Sequence, residues 1–406
     1  MLEKLYFSLL DKISPENLVK NHLEKNNVKF KENVIAIGKA ALPMISSFYS
    51  FAGYKKGLAV SPFKGNVPEN TELCVSTHPN ISEKSIFCGK KVIEFFKSAD
   101  KGITILLSGG GSALVEYPLN FLTLNEIRCV NDLMLKSGAP IEDINFVRIH
   151  LSALKGGGLL NFIPGDGECL VLCDVLGNRV DRVSSAPFYR VDRDFEKFAE
   201  YVKLFGLDKC LSREKIFLLK KTKFPFKRDS IPHRIIADNS YVVSVFKAML
   251  EKKGFECFIP DFEFKDLAEV EAEKLFSLFK ETEKNGKYKA FVGGGEVVVK
   301  VKGMGKGGRT LEFCLRFLRT FVEKKIFPSV EILFATTDGM DGNSNAAGVF
   351  VSRETLKNIL KNESLSSIDS YLAESNSASF FEKYNALIKT GYTGNNLLDI
   401  YSFAFV

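Results

Sequence analysis

The sequence predicts an α/β protein of two domains, a parallel-sheet N-terminal domain and a smaller mixed-sheet C-terminal domain with a cleft between them. Three observations predict it. The chain has 406 residues with 45% hydrophobic content, more than one compact core accommodates. Short β-branched apolar runs alternate with helical patterns, as in a sheet built with crossover helices. Glycine or polar clusters follow those runs, and in open parallel sheets such loops gather at the carboxyl ends of the strands, where ligands bind.

In order, Met1 to Lys25 alternates apolar and charged residues at helical spacing. Val34 to Ile37 is the first strand, ending in Gly38-Lys39. Ile103 to Leu107 runs into Ser108-Gly109-Gly110-Gly111-Ser112, and Leu170 to Val175 into Leu176-Gly177-Asn178. The segment Lys220 to Pro232 is charged, holds two prolines and lacks apolar periodicity, which puts the domain boundary there. The expected domains are therefore 1–227, Rossmann-like, and 228–406. Ile235 to Ala237 precedes Asp238-Asn239-Ser240, and Lys289 to Val292 precedes Gly293-Gly294-Gly295-Glu296. Val297 to Lys302 reads as a strand and Thr310 to Phe321 as an amphipathic helix, with Gly303 to Arg309 between them. Ile332 to Thr336 ends in Thr337-Asp338-Gly339-Met340-Asp341-Gly342.

The formal net charge is +7, but lysines and glutamates intermingle without blocks of like charge. Such a surface suits small anions and does not point to nucleic acid. The eight cysteines sit singly in apolar segments without zinc-finger spacing, which predicts reduced core thiols. Nothing resembles a signal peptide or an eighteen-residue apolar span, so the expected partner set includes no membrane and the expected location is the cytoplasm.

The Ser108 to Ser112 loop can cradle phosphate or carboxylate, because three glycines remove every Cβ from the approach; the alternative is a tight strand-to-helix turn. Gly305, Lys306, Gly307 and Gly308 lie in GMGKGGR, where backbone N–H groups, a helix N-terminus and the charges of Lys306 and Arg309 suit an anion. The same loop matches GxGxxG, a weak dinucleotide signal. Lys39 would project from a strand end, and Asn239 occupies another strand-end loop. Arg148, His150 and Lys155 concentrate cations before a triple glycine, which suits either carboxylate recognition or a helix C-terminus. His78 follows a predicted strand and either bonds a substrate hydroxyl or is a turn histidine without a chemical role, the latter the more common case. Asp338 and Asp341 are spaced to converge on Mg²⁺ or to form an Asx turn. Asp174 and Glu296 are further strand-end carboxylates, candidates for metal ligation or for the general base.

Taken together, AIGKAALPM, STHPNISEKS, LSGGGSALVEYP, residues 145–158, CDVLGNRVD, ADNSY, GGGEVVVKVKGMGKGGRTLEF, TTDGMDGNSNAAG and KTGYTGNNLLD resemble the glycerate 2-kinase family, whose C-terminal module is called MOFRL. The resemblance implies ATP and Mg²⁺ as cofactors and phosphorylation of D-glycerate at its 2-hydroxyl in the interdomain cleft, with a homodimer as an assembly to test. It assigns catalytic roles to Lys39, in Gly-Lys-Ala-Ala, and Arg309, in Gly-Lys-Gly-Gly-Arg. The chain departs from the family pattern at Asn345 and Asn376, where Asp is usual, at Cys173, where Ser is usual, and in Ile81-Ser82, Ala186-Pro187-Phe188 and Gly391 to Asn396. These loop changes leave a related 2-hydroxy acid open as acceptor. The competing readings are an NAD(P)H-dependent hydroxypyruvate reductase and a non-catalytic nucleotide sensor.

Overall fold

In the computed structural model, which describes residues 1–285 and 289–405, the chain folds as two compact units. One comprises Leu18–Ile236, the other Met1–Asn17 with Ala237–Val406.

The first unit is built on a sheet of β1 (Lys31–Ile37), β2 (Tyr54–Ser61), β3 (Thr71–Val75), β4 (Ile103–Leu107), β5 (Gly167–Leu172) and β6 (His233–Ala237). Its order is β3-β2-β1-β4-β5-β6, with β3, β2, β1, β4 and β5 paired in parallel. This is the doubly wound order of dinucleotide-type folds, reversing direction between β1 and β4. Strand β1 is central because both its faces are apolar: Val34, Ile35, Ala36 and Ile37 are all buried. Ile37 pairs with Leu107, so β1 and β4 end level and their loops meet. A second core lies among the helices Leu124–Lys136, Ile141–Leu151, Phe195–Phe205 and Arg213–Lys221, where Ile127, Met134, Val147, Phe198 and Leu219 pack together.

The second unit holds β7 (Cys257–Phe258), β8 (Ala290–Gly295), β9 (Val330–Thr336), β10 (Gly348–Val351), β11 (Leu387–Ile388) and β12 (Asp399–Phe405) in the order β11-β10-β9-β12-β8-β7. Only β7 and β8 pair in parallel, and the other neighbours are antiparallel, giving the expected mixed sheet. The helix Arg309–Glu323 buries Leu311, Phe313, Leu315, Phe317, Leu318 and Phe321 in an aromatic core with Phe279, Phe334 and Phe403. Residues 297–302, expected as a strand, form a single β-bridge, Leu267 with Val298, and otherwise run irregularly.

Three further details differ from expectation. The charged stretch ending at Pro232 is tied down within the first unit: Lys227 N–H donates to Asn161 Oδ1 (2.8 Å), Arg228 to the Gly165 carbonyl (2.6 Å) and Cys169 N–H to the Pro232 carbonyl (2.9 Å). That unit accordingly runs on through β6. The opening helix, Leu2–Lys12, packs in the second unit. The Met1 ammonium pairs with Glu331 at 2.9 Å, and the Tyr6 hydroxyl donates to the Thr336 carbonyl at 2.7 Å. The cysteines are also not all reduced thiols: Cys74 is bonded to Cys88 and Cys129 to Cys210, while Cys169, Cys173, Cys257 and Cys314 are buried and outside these disulfides. Cys129 lies on the helix Leu124–Lys136 and Cys210 in a turn, 81 residues apart in sequence, a proximity that only folding creates.

Candidate active site

The loops after β1 and β4 interlock at the reversal of strand order. Lys39 N–H donates to the Gly109 carbonyl (2.9 Å), and Ala40 N–H to Ser108 Oγ (3.1 Å). Gly38, at φ +133°, allows this approach, since a Cβ there would stand 2.1 Å from Ser108 Oγ. Gly110, at φ +89°, caps the short helix Gly111–Leu114, and a Cβ on it would sit 3.1 Å from both Lys39 Cγ and His78 Cδ2. Asp174 rests so close over Gly109 that a Cβ there would meet its Oδ2 at 1.8 Å. Lys39, His78, the Ser108–Ser112 loop and Asp174 therefore converge.

One donor of this loop is occupied: Ser184 Oγ accepts from Gly111 N–H (3.0 Å) and donates to the Ser108 carbonyl (2.9 Å). Ser112 Oγ meets Ser185 Oγ at 2.8 Å. Among the described residues, the N–H groups of Gly109, Gly110 and Ser112 donate to no protein acceptor, and no carboxylate pairs with the Lys39 ammonium. Three free N–H groups and a free ammonium make an anion cradle. Sequence reading missed the segment behind it. Ser184, Ser185 and Ala186 take φ of +53°, +60° and +54°, a left-handed run without glycine of the kind that accumulates at functional sites.

Of the three predicted cations nearby, only Arg148 stays reachable. It lies on the helix Ile141–Leu151, donates from Nε to Asn131 Oδ1 (2.9 Å), and lines a cavity of about 260 Å³ with Thr77, Pro79, Ser82, Arg128 and Asn131. Lys155 is corrected to an interior role. It is 1% exposed and bonded to Glu116, itself 1% exposed; a partner 39 residues upstream has no local sequence signal. His150 is a core residue, stacked on Phe198 at 5.1 Å with Nδ1 on the Phe146 carbonyl. Burial pushes it down to about 4 and keeps it neutral.

In the second unit the GMGKGGR loop folds onto its own neighbours. Gly305 N–H donates to the Glu374 carbonyl (2.9 Å), Lys306 N–H to Asn376 Oδ1 (3.1 Å) and Gly307 N–H to Asn343 Oδ1 (2.8 Å). Gly308 lies against Asp341, whose Cγ a Cβ would meet at 2.3 Å. The expected backbone cradle is therefore corrected in part: the N–H groups of Gly305, Lys306 and Gly307 are spent, and among the described residues those of Gly308 and Arg309, with the exposed Lys306 side chain, remain for an anion. Asn376 still accepts a hydrogen bond where the resemblance expects Asp, because an amide oxygen serves as well as a carboxylate oxygen. Asn239 is likewise structural, 3% exposed and donating to the Leu397 and Asp399 carbonyls at 2.8 and 3.0 Å.

Arg309 is held by two carboxylates. Its Nε and Nη2 reach Asp399 at 2.8 and 3.2 Å, and Nη1 bonds Glu296. Burial alone would lower its pKa, but Asp399 and Glu296 hold it well above its ordinary value. Asp399, wholly buried at the start of β12, was not singled out in the sequence, since it lies 90 residues beyond Arg309.

The Asp338 and Asp341 pair does not converge on one cation. Asp338 Oδ1 accepts from Thr336 Oγ1 (2.9 Å) and Met340 N–H (3.0 Å), an Asx turn. Asp341 is 2% exposed and accepts from Thr310 N–H (3.1 Å) and Leu311 N–H (2.8 Å), capping the N-terminus of the helix Arg309–Glu323. Among the described residues no group of three or more His, Cys, Asp or Glu side chains could hold a metal ion. Burial, with Asp399 adding to it, pushes Asp341 up to about 6, above the unfolded value of about 3.9. The native state thus retains a proton that the unfolded chain has lost, so this stabilisation is full below about pH 4 and disappears as pH rises through about 6. Relative to Asp341→Asn, the wild type should therefore gain melting temperature as pH falls from about 7 to about 4.5. A difference that stays constant across that range in thermal melts would refute the assignment.

What a cradle of free N–H groups and a lysine beside an arginine-lined cavity can hold is a small anion, and the class that this fold and site define is an α/β enzyme acting on one. Comparison with known proteins narrows the class. Residues 1–219 match the family described as Domain of unknown function (DUF4147), and residues 289–399 match the MOFRL family. A D-glycerate 2-kinase of Thermotoga maritima is 32% identical over 98% of this chain and 97% of its own length. A glycerate 2-kinase of Pyrococcus horikoshii is 30% identical over 92% of this chain and 87% of its own. The crystal structure of a glycerate kinase from Thermotoga maritima superposes with a TM-score of 0.86 at 31% identity, covering 100% of this chain and 99% of that one. The chain belongs to the glycerate kinase family.

Proposed function

We propose that this chain transfers the γ-phosphoryl group of ATP to the 2-hydroxyl of D-glycerate, giving 2-phosphoglycerate and ADP. The observation that carries the reading is the cradle of Lys39 with the free N–H groups of Gly109, Gly110 and Ser112; the names of the relatives support the acceptor. Phosphoryl transfer needs positioning and charge neutralisation more than covalent chemistry. Lys39 and the loop would hold the oxygens of the transferring group, and Arg148, in its cavity, would take the acceptor carboxylate with its planar fork.

Mg²⁺ usually binds through one or two carboxylates plus substrate phosphates, so a carboxylate beside a phosphate cradle fits it better than an all-protein cage. Asp174, over Gly109, is the residue that would hold it. Bound there with the nucleotide, the ion would neutralise charge on the phosphate oxygens. Arg309, fixed by Asp399 and Glu296, would act through the arrangement of its loop. Dependence on ATP supports a cytoplasmic setting, where the two disulfides would be reduced in most cells.

The test is incubation with Mg-ATP and D-glycerate, with enolase-coupled and phosphoglycerate-kinase-coupled detection that separates the two phosphoglycerates. Enolase-competent 2-phosphoglycerate is the expected product. Accumulation of 3-phosphoglycerate would overturn the regiochemistry, and turnover of another 2-hydroxy acid alone would overturn the acceptor.

A further inference from the structure

The reaction needs a group to receive the hydroxyl proton, and the carboxylates first considered for it are committed elsewhere. Glu296 is bonded to Arg309, and Asp174 is packed over Gly109 on the phosphate side of the loop. His78 stands differently. Its ring lies against Gly110, such that a Cβ on that glycine would be 3.1 Å from Cδ2 and 3.3 Å from Nε2. Its chain neighbours Thr77 and Pro79 line the Arg148 cavity. The imidazole thus sits at the seam between the anion cradle and the cavity. Among the described residues neither ring nitrogen has a hydrogen-bond partner. A histidine there with no protein partner is available to substrate.

We propose that His78 is the proton acceptor for the 2-hydroxyl, an assignment that rests on the kinase reading above. In glycerate the carboxylate and the 2-hydroxyl are on adjacent carbons. A carboxylate held by Arg148 therefore presents the 2-hydroxyl at the cavity mouth, next to His78 and the phosphate cradle, and leaves the 3-hydroxyl one carbon further off. In the step, the 2-oxygen forms a bond to the γ-phosphorus of ATP as the bond from that phosphorus to the bridging oxygen breaks. The hydroxyl proton passes to an imidazole nitrogen, and ADP leaves with the bridging-bond electrons.

The electrostatics agree. Partial desolvation first, then the positive charges of Lys39, from the turn after β1, and Arg148, from the helix Ile141–Leu151, push His78 down to about 4. The imidazole is therefore neutral and proton-accepting through the physiological range. Arrival of a triphosphate beside Lys39 offsets those charges and raises its basicity at the moment it is needed.

The experiment pairs steady-state kinetics of His78→Gln and His78→Asn with NMR of the imidazole, which is simple to assign because the chain has only 4 histidines. Both variants should lose about 10²-fold or more in kcat, with KM for D-glycerate changed less than about 3-fold, the split expected of a lost general base. The acid limb of the wild-type kcat/KM profile should disappear in both. The wild-type His78 resonance should shift when D-glycerate saturates the protein. Retained kcat in either variant, a surviving acid limb or an unmoved resonance overturns the role of His78 while leaving the kinase reading intact. A wild-type protein that makes no 2-phosphoglycerate overturns that reading, and the assignment with it.

Discussion

Lys39→Ala should lower kcat by about 10²–10³-fold, as loss of a single preorganised charge stabiliser does, while leaving the melting temperature close to that of the wild type. Both halves follow from one feature. The side chain is half-buried at the turn after β1 and, among the described residues, pairs with no carboxylate. Its backbone N–H, which binds the Gly109 carbonyl, survives the substitution. An ammonium kept free of protein partners contributes little to folding and is available for charge that develops on the transferring phosphoryl. Lys39→Arg should recover only part of the rate, because a planar fork does not replace a compact charge facing a glycine loop. Turnover within a few-fold of the wild type in Lys39→Ala would remove the lysine from the mechanism.

Arg309→Ala should behave in the opposite way, losing about 3–5 kcal/mol of stability, the usual cost of removing one partner from a buried ion pair. Asp399, wholly buried, would lose its two guanidinium bonds and, among the described residues, keep only the Tyr401 hydroxyl at 3.2 Å as a side-chain donor. Activity would fall as well, so activity alone cannot separate a structural arginine from one that touches phosphate. The separating measurement is Arg309→Ala combined with Asp399→Asn, followed by chemical denaturation. If the arginine mainly compensates Asp399, the double variant should recover a large share of the lost stability. If Arg309→Ala melts like the wild type, the ion pair carries little and a direct catalytic role for the arginine regains ground.

The sequence made the strand ends legible because glycine and polar clusters announce them. Gly38-Lys39 and Ser108 to Ser112 read as two of the polar strand-end loops, and the level ends of β1 and β4 bring them into contact. Strand β2 was harder to see, since Tyr54-Lys55-Lys56-Gly57 opens it with charge and a glycine. Strand β12 announces nothing about its place between β8 and β9, because antiparallel insertion of the last segment leaves no local mark. The site divides on the same principle. Residues whose role depends on their own loop, such as Lys39 and the triple glycine, could be found. Residues whose role depends on a distant partner could not: Lys155 needed Glu116, Arg309 needed Asp399, and the donors of the GMGKGGR loop needed Asn343 and Asn376. A charged or glycine-rich motif reports what a segment can offer, and only the fold reports whether something inside the protein has already taken it.

The placement of the first helix bears on how the chain is made. Residues 1–17 leave the ribosome ahead of the unit that follows them, yet their partners Glu331 and Thr336 are translated more than three hundred residues later. Domains generally fold as they emerge, so the nested unit, Leu18–Ile236, can mature while its own leading segment waits with Leu2, Leu5, Tyr6 and Leu9 uncovered. That amphipathic stretch is a natural client for a nascent-chain holdase. Substitutions that erase this apolar face would tax the last closure of the polypeptide more than its earlier folding.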